Sequence, residues 1–161
     1  IAAFSFNAPN KEKINWLSIQ ELNEAYYKDP KPILIDVYTD WCGWCRHMDK
    51  TTYLNTKLVQ YVNSHYYAVR LDAESKDSLE FNKKKYGYNA RNKSNQLAEF
   101  LLFGRLEFPT TVFLPSIDVQ PAPLAGYLKP TEMEAPLRYF GEGAWRSQTF
   151  VEFNKQMKGE W

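Results

Sequence analysis

Cys42 and Cys45 are the only cysteines of the chain, and they stand three apart in Trp41-Cys42-Gly43-Trp44-Cys45. A C-x-x-C lying between a strand pattern and a helix pattern reads as a dithiol–disulfide redox pair. At a helix N-terminus, Cys42 meets unpaired N–H groups and the positive end of the helix dipole, which favour a thiolate. Cys45, one turn further in, is within reach of an internal disulfide and shielded from solvent. The spacing therefore predicts an exposed attacking sulfur and a protected resolving sulfur, with Gly43 keeping the loop between them compact.

Three other chemistries compete for these residues. A structural zinc would draw on the two cysteines with His47 and His65, but their spacing does not fit C-x₂₋₄-C followed by H-x₃₋₅-H. Covalent haem needs C-x-x-C-H, whereas Arg46 follows Cys45 and His47 comes one residue late. An inert disulfide staple closing so short a loop removes little chain entropy. No metal and no cofactor is expected beyond the cysteine pair itself.

The elements that position this pair follow from periodicity and punctuation. Ser18 and Glu21 form a capping box, and Ile19, Leu22 and Tyr26 share one helical face. Asp29-Pro30-Lys31-Pro32 stops that helix. Ile33–Thr39 reads as a buried strand interrupted by one carboxylate, Asp36. After the cysteines a helical pattern runs to Asn63, with a break at Thr51–Asn55. Tyr66–Leu71 reads as a strand, and Ser78–Tyr86 as a helix ended by Gly87 at C′. Tyr88–Asn95 is irregular, and Gln96–Phe103 is a short helix closed by Gly104. Thr110–Leu114 is a strand, Leu124–Leu128 a weaker one. Thr131–Phe140 is a helix capped by Thr131 and Glu134. Strands alternating with helices and ending in β-β-α imply a mixed sheet.

With these residues in place, the chain resembles the thioredoxin superfamily. Ile33–Cys45 looks like the family's first core strand and active site, with Asp36 where the family places a buried carboxylate. Val69-Arg70-Leu71-Asp72 resembles the second strand, with Arg70 in place of the usual lysine. Phe108-Pro109-Thr110 resembles the cis-proline loop, and Gly126 the glycine of the last strand. The likeness covers roughly residues 16–87 and 107–140. Trp16-Leu17, Pro32–Asp36 and Val69–Glu74 are most similar to secreted thioredoxin-like proteins of the bacterial envelope, including the C-terminal domain of DsbD-type disulfide reductases.

The resemblance implies an α/β fold: a three-layer α/β/α sandwich with a mixed central sheet, an insert before the cis-proline loop and a C-terminal extension. It implies one domain over residues 1–161, with the core at about 16–140, the insert at about 88–106 and the extension at 141–161. It implies a thiol–disulfide oxidoreductase in which Cys42 is the nucleophile, Cys45 resolves the mixed disulfide and Asp36 exchanges a proton with Cys45. Trp41, Gly43, Trp44, Phe108, Pro109 and Thr110 would line the substrate site, with Pro109 cis. Protein disulfides would be the substrates and a membrane-side donor the electron source.

Several residues keep two readings. Trp44 contacts substrate or covers Cys45. Arg46 lowers the Cys42 pKa or is a solvated helix residue, and His47 is equally ambiguous. Arg70 pairs with Asp36 or a neighbour, or sits at the sheet edge. Lys83-Lys84-Lys85 reads as a solvated helix face. The insert is a surface helix covering apolar area or one wall of the substrate groove. A non-enzymatic binding module and a chaperone-like surface around Trp41 and Trp44 compete with the enzyme.

Composition bounds the rest. Twenty basic residues against nineteen acidic give a net charge of +1, which offers no electrostatic footprint for nucleic acid. The mean hydropathy is −0.55 and no 18-residue apolar run appears, so no membrane span is expected. Aromatics make up 16% of the chain, which fits a packed protein. A start at Ile1 and the family likeness lead to an expectation of export or a periplasmic location. Ile1–Phe6 is too short for a signal h-region. Phe150–Trp161 reads as an added terminal element, and a monomer is expected.

Overall fold

The computed structural model describes residues 12–161. The reading of Ile1–Phe6 lies outside them. The first elements are β1 (Trp16–Leu17), α1 (Ile19–Tyr26), β2 (Ile33–Tyr38) and α2 (Gly43–Lys50). Then come a 3₁₀ turn at Thr52–Leu54, α3 (Thr56–His65) and β3 (Tyr67–Asp72). Four short strands follow, β4 (Leu79–Phe81), β5 (Lys84–Tyr86), β6 (Tyr88–Asn89) and β7 (Ser94–Asn95), then α4 (Gln96–Leu101). The chain closes with β8 (Thr110–Leu114), β9 (Ala122–Ala125), α5 (Pro130–Gly141), a 3₁₀ turn at Ala144–Arg146 and α6 (Phe150–Gln156).

A five-stranded sheet in the order β1-β3-β2-β8-β9 forms the middle layer. β1 and β2 run parallel to β3, whereas β8 is antiparallel to β2 and to β9. Alternation along the central strands feeds two cores. Ile33, Ile35 and Val37 join Leu22 of α1 and Leu97 and Leu101 of α4 on one face. Leu34 joins Met48 of α2, Leu58 and Val62 of α3, and Met133 and Leu137 of α5 on the other. Asp36 has the parity of Leu34, so its carboxylate points into the layer that holds α2.

The Ser18 capping box forms as its sequence predicts, with Glu21 returning the hydrogen bond to the Ser18 amide. The break after α2 also falls where expected, and Asn55 restarts the helix by capping α3 through Leu58 N–H.

Four expectations need correction. Residues 78–86 form the β4–β5 hairpin, not a helix. Asn82 and Lys83 both take positive φ, 49° and 63°, the conformation of a two-residue hairpin turn. Leu79 and Phe81 alternate with Glu80, a period of two that the following lysines disguised. Lys83, Lys84 and Lys85 thus lie on a turn and a strand, and Gly87 ends no helix. The stretch after it is not wholly irregular, since β6 and β7 make a second short hairpin. The fourth strand sits earlier, at Ala122–Ala125, because Ala122, Pro123, Leu124 and Ala125 pair with β8 and Gly126 at φ 99° then turns the chain. Finally, α5 starts at Pro130 with Lys129 at the N-cap and no side-chain cap. Proline at the first turn sets the helix φ without needing a donor, and Glu134 is buried against the chain end instead of capping.

That chain end wraps α5. Tyr139 stacks edge-on against Phe150 and donates its hydroxyl to Gln148 O. Glu134 accepts N–H bonds from Glu160 and Trp161.

Candidate redox-active site

β2 delivers the chain to a tight turn at its C-terminal end, and α2 starts there. Cys42 is the N-cap of α2, with extended backbone, and its Sγ accepts the Cys45 N–H at 3.1 Å. The two cysteines form a disulfide with Cα atoms 5.3 Å apart. The expected contrast in exposure is not seen in this oxidised state: Cys42 is 4% and Cys45 3% exposed. Both cysteines are covered. The N-cap contact is still the one that would stabilise a Cys42 thiolate after reduction.

Beneath α2 lies a short network of buried and half-buried polar groups. Asp36 is 2% exposed, and its Oδ2 lies 3.4 Å from Arg70 Nε. Asp36 Oδ1 and Arg70 Nε have no hydrogen-bond partner. The Arg70 guanidinium donates to Asp49 Oδ2 of α2 at 3.2 Å and stacks on the Tyr38 ring at 4.3 Å, with Trp16 at 5.6 Å. Tyr53 Oη and Thr111 Oγ1 lie beside one another yet fall short of a hydrogen bond. Burial pushes the Asp36 carboxyl up to about 7, with Arg70 opposing and Asp49 adding to the rise. Burial likewise holds the Tyr53 phenol well above its ordinary range. A carboxyl near 7 is poised to take or give a proton at neutral pH. Of the two readings of Arg70, the structure selects a bridge between two carboxylates.

Two aromatic groups flank the disulfide on the surface. Trp41, 66% exposed, donates its indole N–H to Glu74 Oε1 at 2.7 Å and meets Phe108 edge-on at 5.9 Å. Trp44, 61% exposed, packs on Tyr127 at 5.4 Å and His47 at 5.5 Å instead of covering Cys45. The Phe108–Pro109 peptide is cis, and Pro109 O accepts the Gly126 N–H at 2.8 Å. Thr110 turns its hydroxyl back to Glu107 O and is buried, so it fixes the loop from beneath. Gly43 has room for a Cβ, with only the flexible Arg46 side chain near. Arg46 reaches the Asp40 carbonyl at 2.8 Å.

The structure thus gathers Asp36, Trp41, Cys42, Trp44, Cys45, Phe108 and Pro109 at one end of the sheet. Sequence reasoning missed Asp49, Tyr53, Glu74, Thr111 and Tyr127. Three of these carried a signal. Asp49 lies two helical turns beyond Cys42, Tyr127 follows Gly126, which the likeness matched to the glycine of the last strand, and Glu74 ends the Val69–Glu74 segment that carries the closer likeness. Tyr53 and Thr111 had none.

Comparison with known proteins agrees with this geometry. A family described as "Thioredox_DsbH: Protein of unknown function, DUF255" matches residues 6–141. A 36-residue segment is 42% identical to the thiol:disulfide interchange protein DsbD of Pectobacterium atrosepticum, covering 22% of this chain and 6% of that protein. A thioredoxin-fold protein from Helicobacter pylori superposes with a TM-score of 0.59 at 18% identity, over 78% of this chain and 79% of that one. A DsbH oxidoreductase gives 0.57 at 17% identity, over 88% and 94%. A Thermus thermophilus thioredoxin gives 0.58 at 13% identity, over 82% and 93%. The fold is that of thioredoxin, an α/β class with a mixed sheet. The chain belongs to the Thioredox_DsbH family, a thioredoxin-superfamily group related to the DsbD and DsbH thiol–disulfide proteins.

Proposed function

We propose that this protein is a thiol–disulfide oxidoreductase that reduces protein disulfides in the cell envelope. The observation that carries the reading is the Cys42–Cys45 disulfide at the N-terminus of α2, above a buried carboxylate poised near neutral pH. The general periplasmic setting of DsbD- and DsbH-like proteins supports the compartment. No described helix is long and apolar enough to cross a membrane. The electron source would be a dithiol donor, for which a membrane-side protein is the natural candidate.

The cycle balances in two exchanges. The Cys42 thiolate attacks one sulfur of the substrate disulfide, forming a mixed disulfide, and the other substrate sulfur leaves as a thiolate and takes a proton. Asp36 then removes the Cys45 proton. The Cys45 thiolate attacks Cys42 Sγ, the mixed disulfide breaks and the second substrate thiol departs. Two electrons pass to the substrate, and the internal disulfide returns for the donor to reduce. Asp36 has the parity of Leu34, which packs on Met48 of α2, so its carboxylate faces the helix that carries Cys45. The exposed rings of Trp41 and Trp44 offer apolar walls to a protein strand passing over the cysteines.

Dithiothreitol-driven insulin reduction tests the activity. The wild-type protein is expected to accelerate it, and Cys42→Ser to fall to the uncatalysed rate; a Cys42→Ser protein of undiminished activity would overturn the enzyme reading. The Cys42–Cys45 reduction potential tests the direction. A value near about −270 mV supports a reductase, and one near about −120 mV would reverse the electron flow.

A further inference from the structure

The route from β3 to the proline loop is unusually long, and its buried asparagine is spent on a neighbouring turn. Asn95 is fully buried and caps α4 by accepting the Leu97 N–H. Its Nδ2 donates to Ser75 O at 3.0 Å and Asp77 O at 2.9 Å, and its backbone N–H donates to Ala73 O at 2.7 Å. The same turn is held from the other side. Ala73 N–H donates to Tyr38 O at 2.8 Å, and Glu74 N–H to Asp72 Oδ1 at 2.9 Å. The 73–77 turn is therefore bolted to β2 and to the start of α4. It carries one side chain to the redox site, the Glu74 carboxylate on the Trp41 indole.

A surface tryptophan with a single neighbour would sample several rotamers, and ordering it on binding would cost affinity. Trp41 has two neighbours, Glu74 on its N–H and Phe108 on its ring, and Phe108 precedes the cis proline. We propose that Glu74 is a positioning residue that holds Trp41 as a preset wall of the substrate groove, and that Asn95 fixes the turn presenting Glu74. The inserted segment thereby acts on substrate binding through three residues, without touching the substrate. This rests on the oxidoreductase reading, which gives the groove its purpose.

The wall contributes binding, not chemistry, so the kinetic signature is a split. Glu74→Ala is expected to raise the KM for insulin about 3- to 10-fold with kcat held, the size of one ordinary net hydrogen bond lost as preorganisation. Glu74→Gln keeps an acceptor oxygen and is expected to recover most of the loss. The direct readout is the Trp41 indole N–H resonance in a ¹⁵N correlation spectrum, assigned with Trp41→Phe. It is expected to move upfield and exchange faster with water in Glu74→Ala. Asn95→Asp keeps the oxygen that caps α4 and loses both donors to the turn, so its spectrum is expected to change in the same direction.

A folded Glu74→Ala protein with an unmoved indole resonance, or with wild-type KM, would overturn the role of Glu74. A folded Asn95→Asp protein with a wild-type indole resonance would overturn the role of the insert. If Asn95→Asp does not fold, a Ser75–Asp77 segment that stays protected from hydrogen exchange in the wild type is the required result, and fast exchange there counts against the insert. A wild-type protein without insulin reduction would instead remove the oxidoreductase reading, while the indole resonance would still report on the Glu74 contact.

Discussion

Among the described residues two carboxylates are almost wholly buried, and their surroundings are opposite. Glu134, 1% exposed, receives the N–H groups of Glu160 and Trp161 on its oxygens and ties the chain end to α5. Asp36, 2% exposed, has one oxygen with no hydrogen bond and the other only in ionic contact with Arg70. A satisfied buried carboxylate stabilises structure through charge-assisted hydrogen bonds. An under-satisfied one is destabilised in its charged form, and so holds its proton to higher pH. Satisfaction, rather than burial, separates the anchor from the group suited to chemistry.

The largest effect that would break this contrast is on stability. The Asp36 carboxyl rises from an ordinary 3.8 to about 7 in the folded protein. Its neutral form is therefore favoured by folding. The associated stability is fully present below about pH 4 and is lost as pH rises towards 7, after which the curve flattens. The loss is on the order of 4 kcal/mol for such a shift. Asp36→Asn is expected to remove most of this slope, and to be more stable than wild type at pH 8 by urea unfolding while slowing insulin reduction about 10²-fold. Glu134→Ala is expected to do the reverse, costing about 1–3 kcal/mol with insulin turnover unchanged. A destabilised Asp36→Asn at pH 8 would end the distinction.

A smaller effect concerns Arg70. Its charge holds the Asp36 carboxyl below where burial alone would set it. Arg70→Met is expected to move the ionisation limb near pH 7 in the turnover profile towards alkaline pH and to slow turnover several-fold at neutrality. An unmoved limb would mean that the 3.4 Å contact carries little coupling. The sign is opposite to that of removing Asp49, whose negative charge adds to the rise.

Legibility in the sequence divides along the same line. Asp36 stood out because one carboxylate interrupts an apolar strand, and the cysteine pair because its spacing has few other uses. The parallel core of β2 and β3 and the capped α1 followed from local patterns that tertiary packing reinforces. Glu134 was misread as part of a cap because its partners, Glu160 and Trp161, lie a full helix and more away in sequence. Tyr53 and Thr111 escaped for the same reason: each matters only through a side chain that folding brings from another element. The β4–β5 hairpin failed differently. Its positive-φ residues are Asn82 and Lys83, without the glycine that usually marks such a turn, and local charge density imitated a solvated helix.

The smallest test probes whether the shortage of hydrogen bonds around Asp36 is itself tolerated strain. Thr111 pairs across β2 with Asp36 in the antiparallel register, is fully buried, and its hydroxyl has no partner. Valine has nearly the same shape and no hydroxyl to desolvate. Where a buried hydroxyl is satisfied, its loss costs about 1 kcal/mol; where it is orphaned, its loss is neutral or stabilising by a similar amount. Thr111→Val is therefore expected to leave the urea midpoint unchanged or raise it, with the turnover limb near pH 7 kept in place. A loss of about 1 kcal/mol together with a turnover limb moved to alkaline pH would show that the hydroxyl hydrogen-bonds the Asp36 carboxylate. Asp36 would then be better satisfied than its geometry indicates, and its difference from Glu134 one of degree.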